Sequence, residues 1–188
     1  GGTYRTSDLI RTTEYSHIDI IPGNGYLMKT DMNLLLKEED NQVTRLRDVL
    51  KEVEDAYDYC ICDCGRLLDM VVINMLLAAE LIIAPVKVGG YEIDALQNLE
   101  EQVEDLRDIN PDLRIKVLMT MRQKNKTSLE VEEWLKNESG FDMFETSVRR
   151  SIVAEKSTTA MMPLPKFSKH GIATEDYRSV VEELIREY

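Results

Sequence analysis

Histidine and cysteine are few in this chain and basic residues are outnumbered by acidic ones, and each shortfall narrows what it does. Of 188 residues, two are histidine and three are cysteine. His17 and His170 have no nucleophile or carboxylate at a motif spacing, and Ser151 and Ser157 sit in no nucleophile elbow, so the sequence offers no hydrolytic triad. All three cysteines fall in Cys60-x-Cys62-x-Cys64. On a strand, residues two apart share a face with side chains about 7 Å from one another. That spacing is too wide for an undistorted disulfide, and three in-line thiols do not make a tetrahedral metal cage. Reduced core cysteines are therefore expected, which suits the cytosol.

Long apolar runs are missing too. The longest, near Met70 to Ala79, is too short to span a bilayer and is interrupted by Asn74. Gly1 to Arg11 is polar and has no signal-peptide character. A cytoplasmic location is expected, with no membrane partner. Lysine and arginine number 23 against 35 acidic residues, a net charge of −12, which excludes a wholesale basic coat for nucleic acid. The acid gathers in Glu38-Glu39-Asp40, Glu52 to Asp55 and Glu100-Glu101 through Glu104-Asp105, read as solvated helix faces. Hydrophobic residues make up 43% and charged residues 31%, a balance that reads as globular, and the length suits one domain over 1–188.

What is present alternates. Ile18-Asp19-Ile20-Ile21-Pro22 predicts a short strand stopped by Pro22-Gly23-Asn24-Gly25. Thr30-Asp31 is placed to cap a helix carrying Met32, Leu35 and Leu36, and a second helix is predicted over about Gln42 to Glu54. Tyr59 to Asp63 is predicted as a strand ending in an acid, followed by a turn and a helix over about Leu68 to Ala79, apolar nearly all round and so buried. Leu81 to Val86 and Ile115 to Met121 are continuous apolar strands of the kind covered on both faces. Gly89-Gly90 breaks the chain, and a long helix follows from about Glu92 to Asn110. Ser128 is expected to cap a helix through Trp134 and Leu135 that Ser139-Gly140 closes, and Met143 to Val148 an edge strand. A last helix from Thr174 carries Tyr177, Val180, Val181, Leu184, Ile185 and Tyr188 as its apolar face. Alternation of this kind predicts an α/β fold: a mostly parallel sheet with helices on both faces. Ligands of such sheets sit beyond the carboxyl ends of the strands, where Asp63 is expected.

In order and spacing, several segments resemble the ParA/Soj/MinD family of deviant Walker-type partitioning ATPases. They are Ile18-Asp19-Ile20-Ile21-Pro22, Tyr57-Asp58-Tyr59-x-Ile61-x-Asp63, Ile73-Asn74, Ile82-Ile83-x-Pro85-Val86, Asn110-Pro111 and Thr120-Met121. Arg149-Arg150-Ser151, Met162-Pro163-Leu164 and Asp176-Tyr177-x-x-x-Val181-Glu182-Glu183-Leu184 extend the match. The resemblance implies a P-loop NTPase-like fold, ATP and magnesium as cofactors, ATP-dependent homodimerisation, nonspecific DNA binding and a partition partner that stimulates hydrolysis. It places Asp63 at the metal, through water, and the loops at Met121 and at Arg150 and Ser151 beside the adenine. Lys124, Lys126 and Arg149 make the candidate DNA patch, which Lys166, Lys169 and His170 could extend.

The departures are specific. No Gly-x-x-x-x-Gly-Lys-[Ser/Thr] occurs, so the sequence supplies neither a backbone cradle for phosphates nor a lysine to neutralise them. The family's Asp-x-Pro-Pro turn is Asp63-Cys64-Gly65-Arg66 here, Lys156 stands where many relatives have glutamate, and Asp69 where they have glycine. ATPase activity is implied for a complete protein only. A degenerate, non-hydrolysing interaction domain on the same fold is the second reading, and an ordinary doubly wound protein binding another anion the third. A sheet without the family's first strand would expose edges or take in another segment, so an altered or oligomeric form is expected.

Overall fold

The computed structural model describes residues 5–36, 41–65, 67–87, 92–137 and 139–187. The expectations on Glu38-Glu39-Asp40, on Gly89-Gly90 and on Tyr188 lie outside them. In chain order the elements are α1 (Thr6–Leu9), β1 (Arg11–Thr12), β2 (Asp19–Ile20), α2 (Leu27–Leu36), α3 (Arg45–Leu50), a 3-10 turn (Glu54–Ala56), α4 (Met70–Ala78), β3 (Leu81–Lys87) and α5 (Glu92–Arg107). Then follow β4 (Arg114–Thr120), α6 (Lys126–Asn137), α7 (Ile152–Thr159), α8 (Leu164–Phe167) and α9 (Ile172–Glu187). Contacts divide the chain into two compact units, Gly1–Glu80 with Ile109–Leu113, and Leu81–Asp108 with Arg114–Tyr188. Among the described residues no helix is long and apolar enough to cross a membrane.

The first unit is organised on α4. Its sequence Met-Val-Val-Ile-Asn-Met-Leu-Leu-Ala has no exposed position, as its apolar circumference requires. Asp69 caps it by accepting from the Val72 amide at 2.8 Å, and Asp31 accepts from the Met70 amide at 2.7 Å. Two otherwise orphaned N–H groups are thereby satisfied. Asn74, the polar interruption, is buried: its Nδ2 donates to the Gln42 and Met70 carbonyls and its Oδ1 accepts from the Leu46 amide. The residue that breaks the apolar run in sequence thus staples α3 and its lead-in to α4. β2 is the expected Ile18–Ile21 strand cut to two residues, and it pairs antiparallel with β1 rather than joining a parallel sheet. The helix expected from Thr30 starts earlier, at Leu27, and its Met32, Leu35 and Leu36 are exposed.

The largest departure from expectation is Tyr59 to Asp63, which is no strand. No residue from Asp58 to Leu68 makes a backbone–backbone hydrogen bond among the described residues, and Ile61 is 92% exposed. Extended backbone becomes a strand only when a neighbour takes its N–H and C=O groups, and none is in place here. The cysteines follow. They are free as expected, but Cys60 and Cys64 are exposed and Cys62 half-buried, so they are not core residues.

The second unit carries the parallel sheet. β3 and β4 pair in parallel from Leu81↔Arg114 to Lys87↔Thr120. β4 is buried from Lys116 to Met119, and its side chains divide between two cores. Val117 packs with Ala84, Val86, Leu96 of α5 and Leu135 of α6, while Leu118 packs with Phe144, Val148 and Val180 of α9. Helices therefore cover both faces of β4. β3 is covered on one face only: Ala84 and Val86 are buried, whereas Ile83 and Pro85, which alternate with them, are exposed. The expected edge strand Met143–Val148 is an irregular edge beside β4. Parallel bridges Val117↔Met143 and Arg122↔Arg149 flank a bulge whose Glu145 and Thr146 amides donate to the buried Glu183 carboxylate at 2.7 and 3.1 Å. Buried Lys116 meets Glu187 at 2.7 Å and Asp142 at 3.4 Å. Burial alone would lower its pKa, yet these two carboxylates hold it above the ordinary lysine value.

Candidate functional site

The rim of the second unit brings several of the expected residues together. β4 ends at Thr120, and Met121 then takes φ +53°, left-handed for a residue with a bulky side chain. Such a conformation costs on the order of 1–3 kcal/mol and persists where its surroundings impose it. Here the next residue does so: the Arg122 amide donates to the Val148 carbonyl and its carbonyl accepts from the Arg150 amide, both at 3.0 Å. Met121 and Arg150 are thereby set on neighbouring backbones, both side chains exposed. Ser151 follows as the extended N-cap of α7, its hydroxyl making no cap hydrogen bond. Arg150 approaches Glu155 at 3.9 Å with more than half of each side chain exposed, a contact worth little in water.

The expected DNA patch is not uniform. Lys124 and Lys126 are exposed, Lys126 with a surface pair to Glu130 at 3.5 Å. Arg149 is engaged inward. Its Nε and Nη2 meet the Asp176 carboxylate at 2.9 and 2.6 Å, and its amide donates to Asp176 Oδ2 at 2.9 Å. Burial would raise the Asp176 pKa, but these hydrogen bonds and the guanidinium charge hold it below the ordinary carboxylate value. The loop behind Met121 is fixed in turn by Arg122 Nε on Glu132 at 2.5 Å, with Lys136 on the same carboxylate at 3.1 Å. Asn125, not the expected Ser128, caps α6, accepting from the Ser128 amide at 2.8 Å. Sequence reasoning missed Asp176 and Glu183. Both lie on the inward stripe of α9 either side of Val180, where an acid seven residues from an acid was the available signal.

Asp63 lies in the first unit, exposed, and has no hydrogen bond or ion pair among the described residues. The thiols beside it are poor nucleophiles at neutral pH. Burial, then neighbouring Cys60, pushes the Cys62 thiol up to about 11, and burial and the Asp63 and Asp69 charges raise that of Cys64. Cys64 Sγ rests 3.4 Å from Met75 Sδ. Among the described residues no group of three or more His, Cys, Asp or Glu is arranged to hold a metal ion. One carboxylate fits a magnesium ion only through water and alongside nucleotide phosphates.

The family AAA_31, described as an AAA domain, matches residues 2–115. The chain is 25% identical over 182 residues to the chromosome partitioning protein ParA of Myxococcus xanthus, covering 95% of this chain and 64% of that one. Among solved structures, the putative plasmid partition protein of Borrelia burgdorferi bound to AMPPNP superposes with a TM-score of 0.80 at 19% identity, over 98% of this chain and 71% of that one. Cobyrinic acid a,c-diamide synthase of Mycobacterium smegmatis, with an ATP analog and magnesium bound, gives 0.71 at 20% identity, over 79% and 61%. The chain thus spans about two thirds of the length of these proteins. With a parallel strand pair, helices on both faces of β4 and a family match over more than half its length, the chain belongs to the AAA domain family AAA_31 and is a member of the ParA/Soj/MinD group.

Proposed function

We propose that the chain is the ParA-like module of a partitioning ATPase, taking the base of an adenine nucleotide at Met121, Arg150 and Ser151. The observation that carries this is the Arg122 ladder, which sets an exposed, left-handed strand end beside an exposed arginine and a helix N-cap. Exposed backbone at the carboxyl end of a parallel strand is where such sheets take ligands. Independently of that site, and on the family resemblance alone, Asp63 of the first unit is assigned to magnesium, through water. The metal's contribution is to neutralise charge on the phosphates. Hydrolysis, ATP-dependent homodimerisation and stimulation by a partition partner are assigned to the whole protein, since these 188 residues carry no Gly-x-x-x-x-Gly-Lys-[Ser/Thr]. That same absence favours the second reading, a domain that keeps the fold as a partner surface without hydrolysing ATP.

Lys124 and Lys126 are the cations assigned to nonspecific DNA; with Arg149 engaged by Asp176, the patch is small, and binding through it is weak and steeply salt-dependent. The deciding experiment is titration with a fluorescent ATP analogue in the presence of magnesium. Saturable binding that ATP displaces, weakened about tenfold by Arg150→Ala with the melting temperature unchanged, is the expected result. Absence of saturable binding, or equal binding by the variant, defeats the assignment of the base site.

A further inference from the structure

We propose that Asp176 is a positioning residue for the base end of this nucleotide site, an inference that rests on the reading just given. Residues 148–150 run beside β4 and its extension with alternating amides committed to it: Val148 donates to the Met119 carbonyl at 2.8 Å and Arg150 to the Arg122 carbonyl at 3.0 Å. The amide between them, that of Arg149, points the other way, to the side where a further strand would lie. Asp176 of α9 takes that amide at 2.9 Å and closes on the same residue's guanidinium with three more contacts, at 3.2, 2.9 and 2.6 Å. The carboxylate therefore does the work of a missing neighbour strand at one residue, and the bidentate grip fixes its direction.

Geometry makes this more than a surface ion pair. The Asp176 side chain is 10% exposed while the Arg149 side chain is 39% exposed, so the acid is the fixed partner and the arginine comes to it. Asp176 belongs to the inward stripe of α9, one turn before Val180, which packs on Leu118 of β4. Any shift of α9 along β4 is passed through a rigid carboxylate to Arg149, and from there to Arg150 and Ser151 on one side and to Arg122 and Met121 on the other. Asp176 touches no part of the assigned base site itself; it acts on that site through the backbone of Arg149.

Two measurements on Asp176→Ala separate this role from its alternatives. In amide hydrogen exchange, the Arg149 and Arg150 amides should lose about tenfold in protection, as on losing one hydrogen bond, while the Val117 amide, in the body of β4, keeps its own. In binding, affinity for ATP and for adenosine, which has the base and no phosphates, should both fall about tenfold. A fall for ATP with adenosine unchanged overturns the proposal, as does unchanged protection at Arg150. Should the alanine variant fail to fold, Asp176→Asn keeps an acceptor for the Arg149 amide while giving up the ion pair; it is read by affinity alone, and unchanged affinity for ATP overturns the proposal. If wild-type protein binds no ATP, the base-site reading falls, while the exchange data still decide whether Asp176 holds the Arg149 turn.

Discussion

Tyr59-Cys60-Ile61-Cys62-Asp63 and Ile115-Lys116-Val117-Leu118-Met119 are equally apolar stretches, each preceded by charge and followed by a turn and a helix. One is unpaired chain with Ile61 exposed, and the other is the most deeply buried strand among the described residues, with Val117 at 0% exposure. Nothing in their propensities separates them. What differs is company. Ile115 to Met119 has β3 on one side, the Asp142 to Val148 edge on the other, and helical side chains above and below. Tyr59 to Asp63 has no hydrogen-bonding neighbour strand among the described residues. The lesson is that β-propensity states fitness for a covered, paired position and does not create one.

The buried side of this comparison is broken most severely at Leu135. It is fully buried in the cluster with Val117, Ala84, Val86 and Leu96. Leu135→Ala should cost about 2–5 kcal/mol through lost burial and the cavity left behind. Its neighbour Trp134 is the protein's single tryptophan and packs on the same cluster, so urea unfolding followed by tryptophan fluorescence reports on this unit. A fall in midpoint of roughly 1 M urea or more is expected. A shift too small to resolve would show that the cluster closes around the gap or was never tight.

Acid sharpens the same contrast with a smaller effect. Asp176 and Glu132, both in the second unit, have pKa values held below ordinary: burial pushes each up, but Arg149 in the first case and Arg122 with Lys136 in the second outweigh it. A carboxyl lowered in the folded state stabilises fully above its unfolded value, 3.8 for Asp and 4.5 for Glu, and loses that contribution as pH falls through the folded value. The tryptophan-monitored midpoint should therefore be flat from neutrality to about pH 5 and drop below about pH 4. Asp176→Asn should shallow that drop. A midpoint that declines steadily from pH 7 would assign the acid response to other groups.

Much of the second unit could be read ahead, because its elements carry their own punctuation. β3 and β4 lie within a residue of their expected limits, and the long α5 ends three residues before Asn110. Asn74 shows in the sequence as a defect in an apolar run and as part of the family resemblance; that its amide serves Gln42, Met70 and Leu46 at once depends on where α3 packs, which no local pattern encodes. The expected α9 face holds at Val180, which is buried, and at Leu184, which packs on the same cluster, and fails elsewhere for a related reason. Tyr177, Val181 and Ile185 look like the natural core stripe, yet they are exposed, and the inward stripe includes Asp176 and Glu183. Hydrophobic periodicity assumes that inward means apolar. Here the inward acids meet the free amides of an irregular edge strand, a demand that exists only once that edge is formed.

The smallest effect is expected at the exposed member of the pair, and it is the most discriminating. Ile61 is 92% exposed, so Ile61→Ala removes almost no buried surface and should change stability by less than about 0.5 kcal/mol. In amide exchange, residues 60–62 should exchange at rates close to those of free chain, since no backbone partner protects them. The thermal midpoint followed by circular dichroism should match the wild type. A loss of about 2–5 kcal/mol, the cost at a buried isoleucine, would mean that this stretch is covered in solution. Protection of its amides would add that it is paired there as well. The two apolar stretches would then differ in their partners' identity and not in whether they have them.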